Sequence, residues 1–352
     1  MKKIGILTYQ FADNYGAVLQ CYALCKAINE LDDCDAKVIN FIPANFKYKS
    51  YSGYNQILFI RKREMFDEFL RRNCNVEQNI KNTITDEEYD YICVGSDQIW
   101  CTVYEDYYLP GINRTKKVSY AASLGYSPNS QKLNEDIIKK NLPQFKNISV
   151  RETIHREYLH ELCGVECEVV LDPTLLLDKE EYYSLIDNVR KENGEFIFLF
   201  YLLHDNEYYK AIELANMIAR EYDFEIIHSL QDVSEDVFTK KSKCMMYDGV
   251  EDFLYYIKNA KFVITNSYHA TLFALQFEIP FYTFKVESMR SRVDTLVEEL
   301  DIGHRVINNS ILGMEVDVNI DWNAIKGRIR NKRESSYEYL RKALDIDDEL
   351  RR

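Results

Sequence analysis

The chain has 352 residues, of which 46% are hydrophobic and 29% charged, and its net charge is −13. That length is comfortable for two domains, with apolar material for sizeable cores and no low-complexity stretch to suggest disorder. The acidic balance argues against a general nucleic-acid binder, and the longest apolar runs, such as FIFLFYLL at 196–203, are too short to span a bilayer.

Residues 3–9 read as a first strand and not as a signal peptide, because the polar ADNYG follows at once. A helix is expected near 15–31 and strands at 36–42, 89–100 and 116–125. Then come a helix at 133–145, a strand at 147–152, a helix to about 163, and a strand within 167–177 that turns at Asp172-Pro173. The pattern restarts with a strand at 195–203, a helix at 206–222, a strand at 224–230 and a helix at 250–260. It continues through 262–277, a strand at 280–284 and a helix at 291–300; residues 321–352 read as a charge-rich helical segment.

This alternation predicts an α/β fold with mainly parallel sheets, built as two Rossmann-like domains facing a cleft. The expected domains are 1–178 and 179–320, hinged near 178–194, with 321–352 packing back on the first. The loop after the first strand lacks GxGxxG and no Walker A motif is present, so a dinucleotide is not indicated.

Nine cysteines are scattered without a CxxC pair. Cys163 and Cys167 lie near His155 and His160, but not at zinc-finger spacing, so no metal site is expected and reduced thiols in a cytoplasmic protein are. Residues 47–72 carry seven Lys/Arg against three Asp/Glu, together with Tyr48, Tyr51, Tyr54, Phe59 and Phe66. A basic, aromatic patch of this kind suits peripheral contact with an anionic membrane face; the plainer reading is an amphipathic helix with a solvated face.

The most informative turn is FVITNSYHATLFALQFEIPF at 262–281. Phe262-Val263-Ile264 has the composition of a buried strand, Thr265-Asn266-Ser267 is an N-cap cluster, and good helix formers follow until Pro280. In open α/β sheets ligands bind at the carboxyl ends of strands, and a helix start favours an anion. His269 is thereby placed to touch a phosphate or carboxylate, or else to cap the helix.

Several turns together resemble the polysaccharide pyruvyl transferase family. The matching pieces are DNYGAVLQCYAL (13–24), VGSDQIW (94–100), SYAASLG (119–125), ISVRE (148–152), VVLDPTLLL (169–177), 259–281 and SRVDTLVEELDI (291–302). The resemblance implies a fold similar to the two-domain GT-B architecture, with the acceptor on the N-terminal side and the donor on the C-terminal side. It also implies transfer of the pyruvyl group of phosphoenolpyruvate to a sugar as a ketal, with no further cofactor. The family histidine falls on His269 and the arginine of its VRE segment on Arg151; that arginine would bind a carboxylate or phosphate as a planar fork, unless it is a surface ion-pair residue. Asp97 or Asp13 is the candidate to accept the sugar proton, Asp97 otherwise forming an Asx-turn. Asn14, Gly16, Ser96, Ser267 and Arg292 are the expected substrate contacts. Family members often carry an arginine where Ser267 stands here, and Arg290 and Arg292 are candidates to replace it. The alternatives are a GT-B-like glycosyltransferase using a sugar nucleotide and a non-catalytic carbohydrate-binding relative. The acceptor implied is a surface-polysaccharide precursor, lipid-linked in the membrane-facing reading.

Overall fold

The computed structural model describes residues 1–46, 54–101, 104–128, 130, 133–190, 194–202, 207–230, 233–285, 290–308 and 311–346, with backbone alone at 54, 290 and 291. It divides into two units, Met1–Leu177 with Ile329–Arg352, and Asp178–Arg328.

The first unit contains β1 (Lys2–Leu7), α1 (Tyr15–Asn29), β2 (Cys34–Val38), α2 (Tyr54–Asn73), β3 (Tyr91–Val94), β4 (Lys116–Ser119), α3 (Glu135–Asn141), β5 (Ile148–Val150), α4 (Thr153–Cys163) and β6 (Cys167–Val169). Its main sheet is parallel in the order β2-β1-β3-β4, and β5 pairs with β6. Bridges from Val118 to Asn147 and from Ala122 to Val150 continue the sheet toward β5. A parallel sheet is covered on both faces, which is why its strands are apolar runs rather than alternating ones; Ile4, Ile6, Leu7, Ile92 and Val94 are fully buried. Trp100 anchors the core, stacked on Tyr108 at 6.0 Å and edge-on to Phe145 at 5.7 Å.

The strand expected over 89–100 ends at Val94, because Gly95 turns the chain with φ +123°. A Cβ at Gly95 would lie 2.2 Å from the Tyr120 carbonyl oxygen, so only glycine fits.

The second unit holds α5 (Lys179–Ile186), β7 (Phe196–Phe200), α6 (Tyr208–Tyr222), β8 (Glu225–His228), β9 (Ser242–Cys244), α7 (Val250–Asn259), β10 (Phe262–Thr265), α8 (Tyr268–Gln276), β11 (Phe281–Phe284), α9 (Arg290–Leu300) and β12 (Val306–Ile307). All six strands are parallel, in the order β12-β11-β10-β7-β8-β9. Counted within the unit this is 3-2-1-4-5-6 read from one edge, the order that reverses between the first and fourth strands. The reversal falls between β7 and β10, so β10 ends at the topological switch point.

Two expectations need correction, and two strands went unforeseen. The span expected to be a hinge contains α5. The short strands β9 and β12 carry too few residues to show a period. The final helix α10 (Trp322–Ala343) does not fall wholly outside the second unit, which ends at Arg328 and not at 320. Its early residues bond within that unit, Arg328 donating to Leu300 O at 3.0 Å and Lys326 pairing with Glu278 at 3.1 Å. Its later residues bond within the first: Arg333 Nε to Leu175 O at 2.7 Å, and Tyr339 Oη to Ser119 O at 2.7 Å.

The basic segment also looks different once folded. Residues 47–53, with Lys47, Lys49, Tyr48 and Tyr51, lie outside the described residues. Within α2, Lys62 is buried with its Nζ 4.4 Å from the Tyr15 ring centroid, and Arg63 makes two bonds to Asp13 at 3.2 and 2.7 Å. The charges left exposed on α2 are Arg61, Arg71 and Arg72 against Glu64, Asp67 and Glu68, which cancel. No helix among the described residues is long and apolar enough to cross a membrane.

Candidate functional site

In the second unit the residues expected at the donor converge on the carboxyl end of β10. Thr265 Oγ1 donates to Phe200 O at 2.6 Å and accepts from Ser267 N at 2.9 Å, locking the turn to the end of β7. Asn266 Oδ1 accepts from Leu202 N at 2.8 Å, a second tie across the switch point. Ser267 is the N-cap of α8, its Oγ accepting from Ala270 N at 3.4 Å. Every residue of α8 is buried, with the small Ala270 and Ala274 among them. A buried helix start concentrates its partial positive charge in a poorly screened place.

His269 sits in the first turn of α8, 6% exposed, with its ring edge-on to Tyr268 at 5.4 Å. Arg292 arrives from α9 and is also buried; its guanidinium carbon is 5.8 Å from the Tyr268 ring centroid. The structure therefore brings His269, Ser267 and Arg292 to one turn. A neutral hydroxyl caps the helix, and a cation enters beside it from the next helix. The Arg290 side chain lies outside the described residues. Asn266 is not among the expected site residues; in the sequence it is absorbed in the cap cluster.

In the first unit, Asn14 and Gly16 begin α1 after β1, and Ser96 and Asp97 follow β3, at the same end of the sheet. Asn14 is exposed and caps α1, its Oδ1 accepting from Ala17 N at 3.2 Å. Gly16 is buried in the first helical turn. Ser96 is fully buried and faces inward: its Oγ donates to Ala121 O at 2.9 Å and its N donates to Gln20 Oε1 at 3.0 Å. Its hydroxyl holds the turn, which corrects its expected role as a substrate contact. Asp97 has φ +73°, and its Oδ1 accepts from Gln98 N at 2.8 Å.

Arg151 is neither on the surface nor open to a ligand anion. Its side chain is 2% exposed and faces three carboxylates: Asp172 at 2.7 Å, Glu152 at 3.5 Å and Asp97 at 3.8 Å. With its charge already matched, the expected contact with phosphoenolpyruvate is replaced by a role in holding Asp97 and the turn at Asp172. Asp172 in turn accepts from Thr174 N at 3.0 Å through Oδ1. Glu152 is fully buried; it accepts from Ser123 Oγ at 2.8 Å and faces His155 Nδ1 at 2.8 Å. Burial pushes its carboxyl up, but His155, Arg151 and Ser123 together hold it down at about 2.

Among the described residues no group of three His, Cys, Asp or Glu side chains is arranged to hold a metal ion.

The family model for polysaccharide pyruvyl transferase matches residues 14–288. No curated protein matches the chain. Among solved structures, an S. aureus protein, MnaA, in a co-structure with UDP is similar at a TM-score of 0.56 and 13% identity, covering 99% of this chain and 98% of that one. UDP-GlcNAc 2-epimerase from Neisseria meningitidis bound to UDP-GlcNAc is similar at 0.50 and 11%, covering 99% and 95%. UDP-N-acetylglucosamine 2-epimerase from Rickettsia bellii is similar at 0.50 and 13%, covering 99% and 100%. At such identities the likeness is one of fold, the GT-B-like α/β architecture with mainly parallel sheets.

Proposed function

The chain belongs to the polysaccharide pyruvyl transferase family, and from that premise we propose that it moves the pyruvyl group of phosphoenolpyruvate onto a sugar of a surface-polysaccharide or glycolipid precursor, forming a pyruvate ketal. The observation that carries the donor assignment is the placement of His269 in the first turn of α8, at the switch point of the second unit, with Arg292 beside Tyr268. Phosphoenolpyruvate carries two anionic groups, a carboxylate and a phosphate, and a buried helix start with an adjacent guanidinium suits such an anion.

In this reading His269 delivers a proton to the methylene carbon, which makes the central carbon cationic. One sugar hydroxyl adds there and loses its proton to a general base. Phosphate then leaves with the electron pair of its C–O bond, a second hydroxyl closes the ketal, and its proton leaves with the phosphate. The net change is one phosphoenolpyruvate and one diol to one ketal and one phosphate. A lipid-linked acceptor fits the family's substrates; the balanced exposed charge on α2 gives it no particular docking face.

A thermal-shift series tests the reading. Phosphoenolpyruvate at a hundred times its dissociation constant should stabilise the protein by about 2.7 kcal/mol, and a UDP-sugar should do nothing. Stabilisation by a UDP-sugar alone would favour glycosyl transfer, and none from either would favour the non-catalytic relative.

A further inference from the structure

Asn266 is 5% exposed and sits between the last residue of β10 and the cap of α8. Its carboxamide oxygen is occupied by Leu202 N at 2.8 Å, which fixes the orientation of the group. Reversing the amide would set two donors against each other, so the nitrogen end is assigned by the bond itself. That nitrogen, Nδ2, has no hydrogen-bonding partner in the protein among the described residues. Buried amide donors are almost always paired, because an unmade bond costs free energy, so the exceptions call for a reason.

The place supplies one. The donor lies at the switch point of the sheet, immediately before a helix N-terminus and two residues from Arg292's neighbour Tyr268. These groups share one preference, for an acceptor bearing negative charge. We infer that Asn266 is a substrate-binding residue whose Nδ2 donates to an oxyanion, carboxylate or phosphate, of the donor seated at the start of α8. This rests on the phosphoenolpyruvate reading and adds to it the neutral group that orients the anion. Leu202 N fixes the amide before the ligand arrives, so little ordering is left to binding.

The test combines a variant with a direct view of the nitrogen. Asn266→Asp keeps an oxygen for Leu202 N and sets a carboxylate where Nδ2 was. Calorimetric affinity for phosphoenolpyruvate should fall by at least about ten- to a hundredfold, the scale of one charge-assisted bond. In the parent protein, labelled with 15N-asparagine, the Asn266 side-chain NH2 resonance, assigned by its absence from the variant, should move on titration with phosphoenolpyruvate. Separate titrations with pyruvate and with inorganic phosphate identify which oxyanion it meets, since only the matching one should move it. Binding of phosphoenolpyruvate to the parent that leaves that resonance in place overturns the inference and spares the donor reading. Failure of all three anions to bind the parent overturns both.

Discussion

Nη1 of Arg151 donates to Oδ2 of Asp172 at 2.7 Å, between side chains that are 2% and 0% exposed. The two residues begin the turns that follow adjacent strands, β5 and β6. Removing one member of a buried pair leaves the other uncompensated, at about 3–5 kcal/mol. Arg151→Ala would leave Asp172 and Asp97 without a counter-ion and Glu152 with His155 alone, so it should lower stability in urea by about that amount. Donor affinity, measured on protein that remains folded, should stay within about threefold of the parent. A large affinity loss without a stability loss would return Arg151 to the ligand.

Acid should weaken the two units in different windows. His228, in the second unit, accepts from Leu230 N through Nδ1 at 3.2 Å; burial lowers it from 6.5 to about 4. The unfolded chain takes up that proton first, so the second unit loses stability as pH falls from about 6.5 toward 4. Glu152, in the first unit, is depressed from 4.5 to about 2, so its contribution is full above about 4.5 and disappears as pH falls through about 2. Peptide-resolved hydrogen exchange at pH 7, 5 and 3 should show the second unit opening first. His228→Asn, which keeps an acceptor for Leu230, should flatten the upper window only.

His269 carries the proton-transfer prediction. His269→Ala should reduce turnover by roughly 10²–10⁴, the usual scale of general acid–base catalysis. His269→Gln should restore little, since an amide does not titrate. Turnover near the parent value in steady-state phosphate release would leave His269 as a residue of the helix start.

Arg292 should govern donor affinity more than turnover. Arg292→Ala removes a charge-assisted contact worth about 1.5–3 kcal/mol, so phosphoenolpyruvate affinity should fall about ten- to a hundredfold. Arg292→Lys should recover only part, because the planar fork and its place over Tyr268 are lost. Calorimetry on the two variants decides this; equal affinities in parent and Arg292→Ala would rule the contact out.

What was legible in the sequence was local. A β-branched and aromatic run followed by Thr265-Asn266-Ser267 announces a strand, a cap and a helix within a few residues, and β10 and α8 lie there. Arg151 was misread for the opposite reason: beyond its neighbour Glu152, its partners stand at positions 97 and 172, and only the β3-β4-β5-β6 succession of strands assembles them. Lys62 and Arg63 looked like surface charge because nothing nearby in sequence foretells the Tyr15 ring or Asp13. The bond from Leu202 to Asn266 likewise joins two strands that are far apart in the chain and adjacent in the sheet.

The path of α10 has a consequence for the order in which the protein is made. The first unit takes in both the early residues and those after Ile329, whereas the second is one uninterrupted stretch, Asp178–Arg328. Synthesis delivers that stretch whole while the first unit still waits for Tyr339 to reach Ser119 and for Asp345 to meet Lys2, Lys116 and Lys146. Domains fold as units as they emerge. The unit that is begun first is therefore the unit that is finished last, because its contacts at Ser119, Lys116 and Lys146 wait for the end of α10.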